Sequence, residues 1–319
     1  MSRSLTTEFI KMLSIIIVHY KTRDFTIQCL KSIRDFCSRM DYEVILVDND
    51  SQDGIGQIIA ADFPLVRFIE TGRNTGFSTA NNLGIKNARG EYILFLNSDT
   101  KLIEPIFDQL IEYMNINPRV GAVGPRHLYE DGQFQVSFGK FPTLWSDILL
   151  KLVPCPSLPL TNNVDWLSGS CLLVRRQALE DSGLFDEAFF MYLEDVDLCT
   201  RIRHQGWGTD YFPIASIIHF HGRSAKNNGL VSRIAYRQSQ LHFAGKYYGK
   251  IGEIAMRTFF FIKFMILGIG NVLKFYLLKF LQRNTEEAHL WMSLSYKVLS
   301  MVFFSRTLKP VEPILEARP

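Results

Sequence analysis

Apolar residues in the first hundred positions fall into short unbroken runs separated by segments of helical period. Leu13 to Val18, Glu43 to Val47, Val66 to Glu70 and Tyr92 to Leu96 are rich in β-branched and aromatic residues and read as strands buried on both faces. Between them, Phe25 to Cys37 places Cys29, Ile33 and Phe36/Cys37 at helical spacing. Ile55 to Asp62 reads as a short helix stopped by Pro64, and Thr79 to Ala88 as a helix closed by Gly90. Strand, helix, strand at this rhythm predicts an α/β chain with a mostly parallel sheet and right-handed crossovers. Beyond residue 100 the pattern loosens. It predicts a helix over Ile103 to Met114, strands over Val120 to Val123, Trp166 to Arg175 and Ile214 to Phe220, and a helix from about Glu194. Pro142, Pro154, Pro156 and Pro159 mark a loop-rich insertion.

The last hundred residues have a different character. Ile254 to Leu281 is apolar but interrupted by Lys263, Lys274 and Lys279. Its longest charge-free piece, Phe264 to Leu273, is too short for the ~20 residues a bilayer span needs. The expectation is a helical amphipathic extension lying in a membrane interface, with Phe259, Phe260, Phe261 and Phe264 buried and the lysines reaching headgroups; packing on the catalytic core and a true span are the alternatives. Charge divides the chain at the same place. The net charge is +3, but residues 226–319 hold 14 of the 35 Lys and Arg and only 5 of the 32 Asp and Glu. An acidic front with a basic back excludes a uniformly basic nucleic-acid binder. Two parts are expected, 1–225 and 226–319. Five cysteines without a close pair point to a reducing, cytosolic setting rather than a disulfide framework or zinc ribbon.

Ligands of open α/β sheets bind beyond the carboxyl ends of the strands. The segments there are Val47-Asp48-Asn49-Asp50-Ser51 and Asn97-Ser98-Asp99-Thr100, each carrying a carboxylate to the same edge. Between them, Gly76 to Gly84 opens a helix in which Asn81 and Asn82 are placed to meet a polar ligand. Met191 to Arg201 concentrates Glu194, Asp195 and Asp197; on a helix Glu194 and Asp197 share a face, Asp197 pairs with Arg201, and Asp195 points elsewhere. The cluster reads either as a solvated acidic helix start that suits the macrodipole or as the place of a general base near an acceptor hydroxyl. His219 and His221 share a face of an extended strand and suit a metal or a phosphate. No dinucleotide fingerprint or P-loop occurs: Gly54-Ile55-Gly56 and Gly268-Ile269-Gly270 lack the third glycine.

Taken in order, these segments resemble the family 2 inverting glycosyltransferases of GT-A fold, and within them the bacterial rhamnosyltransferases of cell-surface polysaccharide synthesis. The matching residues are Ser14 to Tyr20, Val47 to Ser51, Gly76 to Gly84, Leu96 to Asp99, Trp166 to Ser170, Tyr192 to Arg201 and His219 to Ser224. The resemblance implies that Asp48 binds the donor base, that Tyr20 lines that pocket, and that Asp99 holds Mg²⁺ or Mn²⁺ against the donor diphosphate. The family's Asp-x-Asp stands here as Asn97-Ser98-Asp99, so His219 is the expected replacement ligand. Gly169, Ser170 and Glu194 would border the acceptor and Asp195 would be the base. The implied partners are a dTDP- or UDP-sugar, a saccharide or lipid-linked acceptor, and the cytoplasmic face of the plasma membrane.

Two other classes of function are compatible with parts of the sequence. A nucleotidyltransferase of sugar activation also uses an α/β site with an Asp-held metal, but needs a glycine-rich loop where His19-Tyr20-Lys21-Thr22 stands. A non-catalytic membrane-surface partner would have no use for the carboxylate set.

Overall fold

The computed structural model describes residues 12–37, 41–142, 163–220, 229–281 and 283–304. The first four strands and three helices follow the expected rhythm: β1 (Leu13–His19), α1 (Arg23–Phe36), β2 (Tyr42–Asp48), α2 (Ile55–Asp62), β3 (Val66–Glu70), α3 (Phe77–Asn87) and β4 (Tyr92–Asn97). Their continuous apolar runs are explained by two cores, one on each face of the sheet. Leu13, Ile15 and Ile17 of β1, and Tyr92, Leu94 and Leu96 of β4, enter the core beneath α1 and α2. Ile16, Ile93 and Phe95 enter the core on the opposite face. Alternate side chains of a strand point to opposite faces, so a strand covered on both sides has no polar position to give away.

The second half departs from expectation in register and direction. It contains β5 (Thr100–Leu102), α4 (Ile106–Ile116), β6 (Val120–Leu128), β7 (Phe134–Gln135), β8 (Phe138–Gly139), β9 (Trp166–Leu167), β10 (Cys171–Arg175), α5 (Arg176–Ser182), α6 (Glu194–His204) and β11 (Gly208–His219). The main sheet runs β3-β2-β1-β4-β10-β6-β11-β5, with β7 on β6. β1 to β4 are parallel to one another, as are β6 and β11. β10 is antiparallel to both β4 and β6. The expected strand Trp166 to Arg175 is therefore two strands, broken by a Ser168-Gly169-Ser170 turn. The expected α4 start at Ile103 moves to Ile106, because Thr100–Leu102 pairs with the end of β11 and Pro105 opens the helix. The strand expected over Ile214 to Phe220 is the latter half of β11, which bulges between Phe212 and Ser216.

Three peptide steps join Asn97 to Thr100, at most ~11 Å of chain. Four strand spacings separate β4 from β5 along the sheet, about 19 Å if the sheet were flat. The sheet must therefore curl at its carboxyl edge, and Asp99 rides on the link that draws the curl closed. Asn97 N donates to Ser170 O and Phe220 N to Asp99 O, each at 2.9 Å, so this link is tied to both β10 and β11.

The C-terminal part is two long helical segments, α7 (Gly229–Phe280) and α8 (Glu286–Phe304). Gly249, at φ 64° and ψ −166°, breaks α7 into two arms. The arms fold back on each other: Arg237 stacks on Phe260 and Phe264, with its guanidinium 5.5 and 5.9 Å from the ring centroids. A straight helix would hold those positions ~35–40 Å apart. Leu241, Ala244, Met256, Phe260 and Phe264 join Leu294, Val298 and Met301 of α8 in a small third core. Two of the four phenylalanines expected at a membrane, Phe260 and Phe264, thus belong inside a helical bundle. The outer face of the second arm is the apolar exposed one. Ile254, Ile262, Ile266, Ile269, Leu273, Leu277 and Phe280 are all more than half exposed and recur at helical spacing. By length and composition alone, α7 is also apolar enough to cross a membrane. The expected boundary near residue 225 falls within 221–228, outside the described residues.

Candidate active site

The donor side is built where β1 and β2 end together. His19 and Asp48 are register partners. Asp48 is buried, and its Oδ1 accepts from Ser51 N at 3.2 Å. Tyr20 follows immediately, half-buried, with the Lys21 ammonium 5.2 Å above its ring. Lys21, Asp50 and Gln52 all adopt left-handed backbone without being glycine. Conformations of that kind cost about 1–3 kcal/mol each and persist where the surroundings over-determine them. Here Lys21 N donates to Ser51 Oγ, and Asn49 accepts from Thr75 N and Thr75 Oγ1 while donating to Asn74 Oδ1. His19, wholly buried, lies 2.7 Å from Thr26 Oγ1 and 3.1 Å from Asp53 Oδ2. Burial holds it below the usual imidazole range, against the pull of Asp53 and Asp48.

Thr22 Oγ1 lies 2.9 Å from Ser98 Oγ, joining this loop to the one that carries Asp99. Asp99 is buried at the β4–β5 link, and its Oδ1 is 3.4 Å from Nε2 of His219 at the end of β11. His219 Nδ1 lies 2.7 Å from Gln135 Oε1 on β7. An amide oxygen only accepts, so Nδ1 carries a proton toward Gln135, while Nε2 faces Asp99 Oδ1 and, at 3.5 Å, Asn97 Nδ2. A carboxylate oxygen and an imidazole nitrogen at this separation suit adjacent positions on an octahedral cation, where ligands stand ~3 Å apart. Among the described residues, no group of three or more His, Cys, Asp or Glu gathers about one point. The residues present fit a cation that takes its remaining ligands from a diphosphate and water. His221 lies outside the described residues.

The third loop carries Asp195 on the first turn of α6. Its Oδ2 accepts from Gly169 N at 2.9 Å and its Oδ1 from Val196 N at 2.8 Å. Desolvation lifts its carboxyl above the ordinary range, while these backbone donors pull it back. Glu194 beside it is buried, with no hydrogen-bond partner at Oε2, and burial plus the Asp195 charge push it well above the carboxylate range. The two N–H donors favour the anion at Asp195 over that at Glu194. As the spacing predicts, Asp197 turns away and pairs with Arg201 at 2.8 Å. Gly169 approaches the base closely: a Cβ there would stand 3.4 Å from Asp195 Cβ.

Three residues expected at a ligand also have partners inside the protein. Asn82 donates to Phe185 O and Glu187 Oε1 and accepts from Phe185 N, so it clamps the 183–193 loop onto α3. Asn81 is buried and donates to Phe77 O within its own helix. Ser170 is turned inward by the 168–170 turn, 2.8 Å from His127 Nε2 and 2.8 Å from Ser168 Oγ. Burial takes His127 down to about 3, so it stays neutral. The sequence also concealed Gln135, His127 and Thr22, whose partners lie far along the chain. Gly76 was legible as a glycine but not for its reason: at φ 85°, a Cβ would meet Phe190 O at 2.6 Å, where Phe77 N donates to that same oxygen.

Three carboxylate loops thus meet at one edge: Asp48, Asp99 beside His219, and Asp195 on Gly169. The family model described as Glycosyl transferase family 2 matches residues 14–183. The chain belongs to that family. Family 2 membership makes it a glycosyltransferase and accounts for the ordered loops. Among its relatives, an N-acetylglucosaminyl-diphospho-decaprenol L-rhamnosyltransferase of Mycobacterium tuberculosis is 33% identical over 225 residues, covering 63% of this chain and 73% of that protein. Rhamnosyltransferase WbbL of Escherichia coli K12 is 29% identical over 228 residues, covering 66% and 83%. The mannosyltransferase PcManGT of Pyrobaculum calidifontis, solved with GDP-Man and Mn²⁺, superposes with a TM-score of 0.55 at 14% identity, covering 94% of this chain and 89% of that one. The fold is GT-A, with its long C-terminal helix appended.

Proposed function

We propose that this glycosyltransferase inverts configuration as it moves L-rhamnose from a nucleoside-diphosphate donor to a hydroxyl of a lipid-linked saccharide during cell-surface polysaccharide synthesis. The observation that carries the reading is Asp195, its carboxylate held by Gly169 N, on the same edge as Asp48 and Asp99. The relatives named for rhamnosyl transfer supply the sugar, and one of them the diphospho-lipid acceptor.

Asp195 takes the proton of the acceptor hydroxyl as that oxygen bonds to the anomeric carbon. The bond from that carbon to the diphosphate oxygen breaks on the opposite face, and the nucleoside diphosphate leaves with the electron pair. One base suffices; a covalent intermediate would need a second carboxylate as nucleophile. Asp99 and His219 are the residues that would hold Mg²⁺ or Mn²⁺, which offsets the charge gained by the leaving diphosphate. Asp48 would orient the base of the nucleotide. A thermal-shift panel of nucleoside diphosphates with Mg²⁺ or Mn²⁺ tests the donor. A ligand at 100 times its dissociation constant adds ~2.7 kcal/mol of apparent stability, so dTDP is expected to shift the transition most. Equal shifts for every base would remove the donor assignment.

The exposed isoleucine and leucine stripe of α7, with Lys263, Lys274 and Lys279 along it, supports docking on the cytoplasmic membrane surface. Each nearby cation adds ~1 kcal/mol on an anionic leaflet. Vesicle flotation is expected to weaken with salt but persist, because apolar burial is not screened. Complete release at moderate salt would refute the apolar part of that contact.

A further inference from the structure

The segment from Asp186 to Asp197 presents the base, and it is poorly supported by its own sequence. Tyr192 and Leu193 both adopt left-handed backbone, at φ 73° and 66°, directly before α6. Neither is a glycine, so the conformation must be imposed from outside. Glu194, Asp195 and Asp197 crowd three carboxylates into four positions. Within α6, Arg201 answers only Asp197.

The rest of the support comes from the first arm of α7, some fifty residues later. Lys246 Nζ bonds Asp186 Oδ2 at 2.7 Å and Asp197 Oδ1 at 2.6 Å. One ammonium therefore staples the two ends of the segment, with Asp195 inside the staple. Tyr247 OH donates to Asp197 Oδ1 at 2.8 Å. His242 Nε2 lies 3.0 Å from Asp186 Oδ2, and Ser239 Oγ donates to Met191 O at 2.8 Å. Phe243 packs with Phe189 and Val196, and the Tyr236 ring stands edge-on to Tyr192 at 5.6 Å. Successive turns of one helix thus grip the loop before the base and the turn that carries it. Asp197 itself is fully buried, and its backbone N closes the first turn on Leu193 O at 2.9 Å. Moving its carboxylate moves that turn.

We propose that Lys246 and Tyr247 are positioning residues for the glycosyl transfer, fixing Asp195 through Asp197 so that the C-terminal helix is a working part of the active site. The inference rests on the reading of Asp195 as the base. The titratable groups within the field of Asp195 are Glu194 and Cys199 on its own helix, while Arg201, Lys246 and Tyr247 face Asp197. Loss of the Lys246 charge leaves Arg201 alone to balance Asp197, and the stronger negative field raises the pH at which Asp195 ionises. Since the base must be ionised to act, the acid limb of the rate profile moves up.

The test compares full-length wild type, Lys246→Met, Lys246→Arg and Tyr247→Phe. Each is assayed for rhamnosyl transfer to a lipid-linked acceptor against pH, and for dTDP and UDP binding with Mn²⁺ by calorimetry. Lys246→Met is expected to lower kcat about 10- to 100-fold, with nucleotide affinity within about two-fold, and to raise the acid limb by about half a unit to one unit. Lys246→Arg should restore most of the rate, and Tyr247→Phe should lose less than Lys246→Met. A Lys246→Met enzyme with wild-type kcat and pH profile overturns the proposal. So does one whose transfer and nucleotide binding fall together with its melting temperature, which is a folding defect. If Asp195→Asn retains activity, the base reading fails instead, whatever the Lys246 variants do.

Discussion

Asn in place of Asp195 is expected to lower glycosyl transfer by about 10²- to 10⁴-fold, the range that a positioned general base contributes. Nucleotide binding should be unchanged, because Asp48 and Asp99 sit on other loops of the sheet. The exchange is nearly isosteric. The amide oxygen still accepts from Gly169 N, while the amide nitrogen meets Val196 N, donor against donor. That local cost is about 1 kcal/mol. The melting temperature should therefore stay within a few degrees of wild type. Near-normal transfer by the folded variant would take the base role away from Asp195.

Asp99→Ala should be about as damaging by a different route. In the proposed site Asp99 and His219, 3.4 Å apart, would hold the divalent cation against the diphosphate. With one removed, the expected loss in kcat/KM is about 10³-fold, some 4 kcal/mol of stabilisation of the leaving group. A chelator should reproduce the loss in wild type and add nothing further to the variant. The decisive readout needs no acceptor: the Mn²⁺-dependent part of the dTDP thermal shift should vanish in Asp99→Ala. Its survival would place the cation elsewhere.

The parts of this protein that were legible in its sequence are those governed by local periodicity. β1, β2 and β4 followed from unbroken apolar runs, because strands covered on both faces leave no other pattern, whereas β3 is an edge strand with Arg67 and Glu70 exposed. The places of Asp48 and Asp99 at the carboxyl edge followed from the strand boundaries. The Asp197–Arg201 pair, and with it the separate direction of Asp195, followed from helical spacing. Direction was not legible: a doubly buried strand reads the same either way, so β10 gave no sign of running antiparallel between β4 and β6. The internal partners of polar residues were not legible either. Asn82 and Ser170 look exposed to chemistry in sequence, yet their partners, Phe185 and His127, lie 103 and 43 positions away. Lys246 was the reverse case. It counted only toward a basic tail until the fold set it between Asp186 and Asp197.

The reversal at Gly249 places the exposed stripe of α7 immediately after the residues that brace the base. Lys246 grips Asp197, and the outward-facing Ile251 and Ile254 begin within two turns of it. An enzyme seated on a bilayer by that stripe works at the surface itself, with no stalk between the bilayer and the site. Its encounters with a lipid-linked acceptor are then two-dimensional. The governing concentration is the mole fraction of acceptor in the leaflet, so adding inert lipid at constant total acceptor should slow the reaction.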